Sequence, residues 1–81
     1  VARVKYLLWL RDRIGIGEEH VESKTLSELL EILVSKYGEL KELVKRGSLV
    51  VLINGLAVDP RRNVKLSDED EVVLLPEVSG G

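Results

Sequence analysis

The sequence predicts an α+β domain, a sheet of about five strands with one main helix packed on one face. Three observations point there. Short segments near the start, middle and end are apolar at both parities, as central strands are. One segment, Thr25 to Tyr37, repeats leucines at helical spacing. Between two apolar runs stands Asn54-Gly55, the strongest short-range hairpin signal.

Val4 to Leu10 reads as the first strand, rich in β formers. One face carries Val4, Tyr6, Leu8 and Leu10, the other Lys5, Leu7 and Trp9. Arg11 to Gly17 reads as a connector. Its Gly15-x-Gly17 pair lacks the third glycine of a phosphate-binding loop and is taken as a turn. Glu18 to Lys24 holds Val21 as its one apolar residue and reads as a short polar strand paired with the first, of the kind that discourages edge-to-edge association.

Thr25 and Glu28 have capping-box spacing at the start of the main helix. Leu26, Leu29, Leu30, Leu33 and Tyr37 share one face, and Gly38 follows at a C-cap position. A shorter helical turn is expected in Glu39 to Arg46, with Leu40, Leu43 and Val44 inward and Gly47 ending it. Leu49 to Ile53 is a strand apolar on both faces, and Leu56 to Val58 returns after the turn. A loop at Asp59 to Asn63, the acidic turn Ser67 to Asp70 and a last strand, Glu71 to Leu75, complete the body. One helix covers one face of such a sheet, so apolar surface should remain open on the other, and large open patches mark partner sites. Leu7, Trp9 and Leu74 are the expected partner-binding residues.

Composition excludes several classes. At 81 residues the chain is one small domain. Twelve basic residues against 14 acidic, a net charge of −2, argue against nucleic-acid binding by bulk electrostatics. Without cysteine there is no disulfide framework, thiolate nucleophile or cysteine metal site. The apolar runs, about five residues at most, are far too short for a membrane-spanning helix, and a cytoplasmic location is expected. His20 stands alone on a polar strand with no second ligand, so no metal site is expected. No nucleophile, base and orienter set appears anywhere, and the body reads as non-catalytic.

The tail is the other candidate site. Proline cannot donate to a ladder, so pairing should stop at Pro76. The expected division is a domain at 1–75 and an extended arm at 76–81, Pro76-Glu77-Val78-Ser79-Gly80-Gly81. Six extended residues reach roughly 20 Å. Gly80 and Gly81 have no side chains, so their backbone fits a slot too narrow for a Cβ, and the one functional group at the tip is the Gly81 carboxylate.

These pieces resemble the MoaD/ThiS family of ubiquitin-like sulfur carriers. The resemblance covers essentially the whole chain: Val4 to Trp9 with Arg11 after it, Val51-Leu52-Ile53-Asn54-Gly55, Leu66 to Val72, and the tail Leu75 to Gly81. The Pro-x-Val-Ser-Gly-Gly ending is most similar to the small subunit of molybdopterin synthase. Glu69 stands where the family often has glycine, and Glu77 replaces the second of two frequent prolines.

The resemblance implies a β-grasp fold with a mixed sheet. It implies that an ATP-dependent adenylyltransferase resembling ubiquitin-activating enzymes adenylates Gly81, and that a sulfur donor then displaces AMP to leave a thiocarboxylate. The arm would enter the large subunit of molybdopterin synthase, in a heterotetramer, and give sulfur to precursor Z in molybdenum or tungsten cofactor synthesis. The large subunit would supply the catalytic side chains. No cofactor would be held stably; ATP belongs to the activating enzyme. Thiamine synthesis, tRNA thiolation and conjugation to lysines as a modifier stay open as alternatives, as does a β-grasp interaction module with an inert tail.

Overall fold

The computed structural model describes residues 1–77. Five strands and three helices follow in the order β1 (Ala2–Tyr6), α1 (Leu8–Ile14), β2 (Glu18–Val21), α2 (Leu26–Lys36), α3 (Gly38–Arg46), β3 (Leu49–Ile53), β4 (Leu56–Val58) and β5 (Glu71–Pro76). The sheet order is β2-β1-β5-β3-β4. β1 and β5 run parallel and the other pairs antiparallel, so the sheet is mixed, with the last strand at its centre.

Strand parity divides the sheet into two faces. Val4 and Tyr6 of β1, Leu49 and Val51 of β3, and Val72 and Leu74 of β5 point to one side. There they meet Leu26, Leu29, Leu30 and Leu33 of α2 and Leu40 and Leu43 of α3 in a single core. The opposite parity, Arg3, Lys5, Val50, Leu52, Val73 and Leu75, faces away from the helices.

α2 forms as its sequence asks. Thr25 is extended, and its Oγ1 accepts the Glu28 N–H at 3.1 Å. Gly38 is not its cap: Tyr37, with φ −127°, breaks the helix, and Gly38 opens α3 at once. α3 ends where expected, at Gly47 with φ 70°. Val44, expected inward, is 42% exposed. Leu40 and Leu43, three apart, already fill the inward stripe of so short a helix.

The first strand is shorter than its sequence suggests. Leu7 is its last extended residue, and Leu8–Ile14 turns into α1. Leu10 is fully buried and Ile14, four residues on, packs against the same core. Arg11 and Arg13 sit in the last turn, where the helix dipole favours them, and Gly15, with φ 92°, donates its N–H to the Arg11 carbonyl. An apolar run of this length is compatible with strand and helix alike, and here tertiary burial of Leu10 decides. Leu8 begins the helix with φ 60°, a left-handed value that costs a leucine about 1 kcal/mol.

Asn54 (φ 51°) and Gly55 (φ 85°) make the hairpin turn between β3 and β4, both left-handed as a type I′ turn requires. The Asn54 side chain also ties this turn to the start of β5. Its Nδ2 donates to Asp70 Oδ1 at 2.9 Å and its Oδ1 accepts the Glu71 N–H at 3.0 Å. Asp70 Oδ2 accepts the Ser67 N–H at 2.8 Å and closes the acidic turn. These bonds hold the Asp70 carboxyl below its ordinary pKa. Glu69, standing at the family's frequent glycine, does not have positive φ, so the side chain carries no backbone strain there.

Candidate functional site

Pairing does not stop before Pro76. The strand includes it, opposite Leu49 and buried, and Glu77 donates its N–H to the Ser48 carbonyl at 2.7 Å. The strand thus runs one residue past the expected end of pairing at 75. Parity explains why proline is tolerated. Odd residues of β5 bond toward β3, as Asn54 N–H to Glu71 O (2.9 Å) and Glu77 N–H to Ser48 O do. Even residues bond toward β1, as Leu7 N–H to Leu74 O (3.1 Å) does. The donor that Pro76 lacks would point past the end of β1, where the chain has already turned into α1. Of the six residues expected in the arm, Val78, Ser79, Gly80 and Gly81 lie outside the described residues.

The strand that leads to the arm is central, paired on both sides, and anchored at its far end by Asn54. The arm's root is thus fixed by the most connected element of the sheet. Around it lies the open face. Val50, Leu52, Val73 and Leu75 form its apolar part, on neighbouring β3 and β5. Val73 is only 9% exposed because strands flank it on both sides; the other three are partly exposed. On the β1–β2 side the face becomes charged. Arg3 Nη2 lies 2.9 Å and Lys5 Nζ 3.3 Å from Glu71 Oε2, and Arg3 Nε lies 3.6 Å from Glu18 Oε1. Pairs this exposed contribute little to stability, but they bound the apolar patch on one side.

Of the expected partner-binding residues, Leu7 and Trp9 are exposed, at 39% and 46%. Leu7 follows the outward parity of β1. Trp9 does not lie on the sheet: it stands in the first turn of α1, with the Arg13 guanidinium 5.7 Å from its ring centroid. Leu74 is a correction. It is fully buried, pairs with Tyr6 and Val51 on the helix side, and has no surface to offer. Val73 and Leu75 are the outward residues of that strand. A signal for this was present, since Glu71 shares their parity and marks the wet side.

Sequence reading missed a polar cluster at the other edge. Glu19 Oε2 accepts from Tyr6 Oη at 2.6 Å and Tyr37 Oη at 2.8 Å, and Oε1 accepts from Lys36 Nζ at 2.8 Å. Burial opposes ionisation of Glu19, but the hydrogen bonds from Lys36, Tyr6 and Tyr37 outweigh it and hold its pKa below the ordinary value. Burial first, then Glu19, pushes both tyrosine hydroxyls up, so they remain donors at neutral pH. The cluster clamps the β2 edge to α2 and lies at the partly exposed rim of the helix side, not on the open face.

His20 is exposed on β2, and among the described residues no three His, Cys, Asp or Glu side chains gather at metal-binding distance. No helix among them is long and apolar enough to cross a membrane.

No curated protein matches the chain. Solved structures do. Small archaeal modifier protein 1 from Methanosarcina acetivorans superposes with a TM-score of 0.80 at 30% identity, over 99% of this chain and 95% of that one. A chain of the complex of subunits 1 and 2 of the molybdopterin-converting factor from Helicobacter pylori gives 0.70 at 26% identity, over 99% and 97%. A chain of the BexX/CysO complex from Amycolatopsis orientalis gives 0.74 at 24% identity over the whole of both, a likeness of fold. The sheet order and helix placement are thus those of the ubiquitin-like β-grasp fold. The model of the ThiS family matches residues 4–81, tail included, and the chain belongs to that family of ubiquitin-fold sulfur carriers.

Proposed function

We propose that this chain is the sulfur-carrying small subunit of a molybdopterin synthase. The observation that carries the reading is that the family match runs through Gly80 and Gly81, beyond a central strand whose open side is apolar. A carboxylate is a poor electrophile. An ATP-dependent adenylyltransferase converts the Gly81 carboxylate to an acyl-adenylate, releasing pyrophosphate. A donor then supplies sulfur at the sulfide level, which attacks the acyl carbon; AMP leaves, and a thiocarboxylate remains on the chain end. The arm enters the large subunit, which supplies the catalytic side chains, and delivers its sulfur to precursor Z. The open face of Val50, Leu52 and Leu75 docks the activating enzyme and the large subunit in turn. The named complex of subunits 1 and 2 in Helicobacter pylori supports a partner of this kind. With sulfur held on the chain end, the carrier has no need of a thiol, and the chain has no cysteine.

One observation favours a second reading. The archaeal modifier protein shares 30% identity, more than the molybdopterin-converting subunit at 26%. In that reading the activated Gly81 acylates lysine amines of other proteins.

The test is recovery of the chain, tagged ahead of Val1 so that Gly81 stays free, from its source cell, followed by intact mass spectrometry. The carrier reading expects an adenylyltransferase and a synthase large subunit with it, and part of the chain heavier by sulfur in place of oxygen. Isopeptide links from Gly81 to lysines of many proteins would establish the modifier. Unmodified chain with neither partner would leave an interaction module. One residue added after Gly81 abolishes thiocarboxylate formation in the first reading and changes nothing in the last.

A further inference from the structure

We propose that the cleft between α1 and α3 is a self-complementary interface through which two copies of this chain pair about a two-fold axis. The inference stands apart from the carrier reading, because it concerns a surface that neither the tail nor the open sheet face includes.

Trp9 is the starting point. It stands off the sheet, so the open face makes no use of it, yet it is 46% exposed. Arg13, one turn further along α1, holds its guanidinium 5.7 Å from the ring centroid. Across from them α3 contributes Glu39, Glu42, Leu43 and Arg46. Leu43 belongs to the core and gives the cleft an apolar base. The cleft holds about 610 Å³, within the range of sites that admit a drug-sized ligand, so a whole side chain of another molecule can enter it.

The charges name the occupant. Two arginines and two glutamates line the cleft, and among the described residues none of the four takes part in an ion pair. Glu42 and Arg46 make the point most clearly. They stand four apart on α3 with the acid first, the spacing and order that favour a helical ion pair, and still they do not pair. A surface built for nucleic acid or for an acidic partner would carry one sign. This one carries both signs in equal number. A two-fold axis lays such a patch on itself, since residue i of one copy meets residue j of the other and j meets i. Acids of each copy then face arginines of its partner, and each Trp9 enters the opposite cleft. Tryptophan and arginine are the side chains that most often anchor interfaces, and here they are neighbours. A patch confined to one cleft is small, so the dimer is a weak one, filled at high concentration and emptied by salt. None of these six residues lies on β3 or β5, so the dimer leaves the open face uncovered.

The experiment is sedimentation equilibrium of the full chain at low and high salt, with tryptophan emission read on the same samples. At low salt the average mass should climb from monomer toward dimer between micromolar and millimolar concentration. Trp9 is the only tryptophan, so emission should move to shorter wavelength in step as its ring leaves water. Two variants test the charges. One chain carries Arg13→Glu with Arg46→Glu, the other Glu39→Lys with Glu42→Lys. Each alone should dimerise at least about tenfold more weakly, because like charges then meet across the axis. An equimolar mixture should restore association, a rescue that damage to folding cannot produce. A wild-type chain that stays monomeric to millimolar concentration at low salt overturns the proposal. So does a dimer that keeps its strength in both variants with Trp9 emission unmoved, since it would use another face. Association lost in each variant and not restored by mixing assigns the loss to folding and overturns it equally.

Discussion

The two faces of the sheet are built from the same residue types and end in opposite states. On one, Val4, Tyr6, Val51, Val72 and Leu74 lie beneath α2 and α3 and are sealed from water. On the other, Val50, Leu52 and Leu75 lie on the same strands, one residue out of phase, and keep part of their surface wet. Apolar content cannot tell the faces apart; coverage does. Alternation in β3 and β5 writes a hydrophobic side chain at nearly every position, and the helices are enough to cover one side. The open side retains the capacity for burial that folding has not used. A binding partner can use it without any rearrangement of the core.

The largest expected effect separates the faces by stability. Leu74→Ala empties a fully buried site and should cost about 2–5 kcal/mol. Leu75→Ala, its neighbour with the opposite parity, should cost about 1 kcal/mol. Urea unfolding of the two variants measures the difference. Equal losses would mean that the open face is packed in solution, by a second copy or otherwise, and the distinction would fail.

A smaller effect concerns how the covered side is locked at its edge. Glu19, 14% exposed, accepts three hydrogen bonds, two of them from tyrosines rooted in β1 and at the end of α2. Glu19→Gln keeps the shape, loses the charge and should cost about 1–2 kcal/mol at neutral pH. The pH dependence carries a definite sign. The folded-state pKa of Glu19 lies below its ordinary 4.5, so its contribution is complete above that value and is lost as pH falls through the folded one. The wild-type thermal midpoint should therefore fall more steeply than that of Glu19→Gln as pH drops below that ordinary value. Asp59, held at about 2, and Asp70 keep part of the slope in both proteins. Parallel curves would show that Glu19 is not the proton-linked group.

Much of this was legible in the chain, and what was not has identifiable causes. The Thr25 cap, the leucine stripe of α2, the Asn54-Gly55 turn and the strands flanking it depend on local chemistry, and each appears where the residues ask for it. The uncovered apolar face was legible as well, from counting helices against faces. Its membership was not: choosing Leu74 over Leu75 requires the parity of a strand buried on both sides, where hydrophobic pattern is silent. Glu71, Arg3 and Lys5 held that information, because charge on one parity marks the wet side. α1 was hidden for a different reason. Leu7-Leu8-Trp9-Leu10 suits a strand by propensity, and only the burial of Leu10 and Ile14 against a core made by distant segments turns it into a helix. Pro76 was read as a stop because the side to which its missing donor points is a property of the register, not of the residue.

The smallest effect on stability is also the sharpest test of the comparison. Val50→Thr with Leu52→Thr puts β-branched side chains, which suit a strand, at both positions and places two hydroxyls on a face that water already reaches. In the free chain those hydroxyls are solvated, so the thermal midpoint should hardly move, and the loss should stay near or below about 1 kcal/mol. In a complex the same hydroxyls lose water and face apolar surface, and each unsatisfied one costs about 1–3 kcal/mol. Affinity for the activating enzyme, read by calorimetric titration, should fall at least tenfold while the fold persists. The same pair of changes at Val51 and Leu74 would act through unfolding instead. If the double variant binds with unchanged affinity, the open face is not where the partner sits, and the tail would have to carry recognition alone.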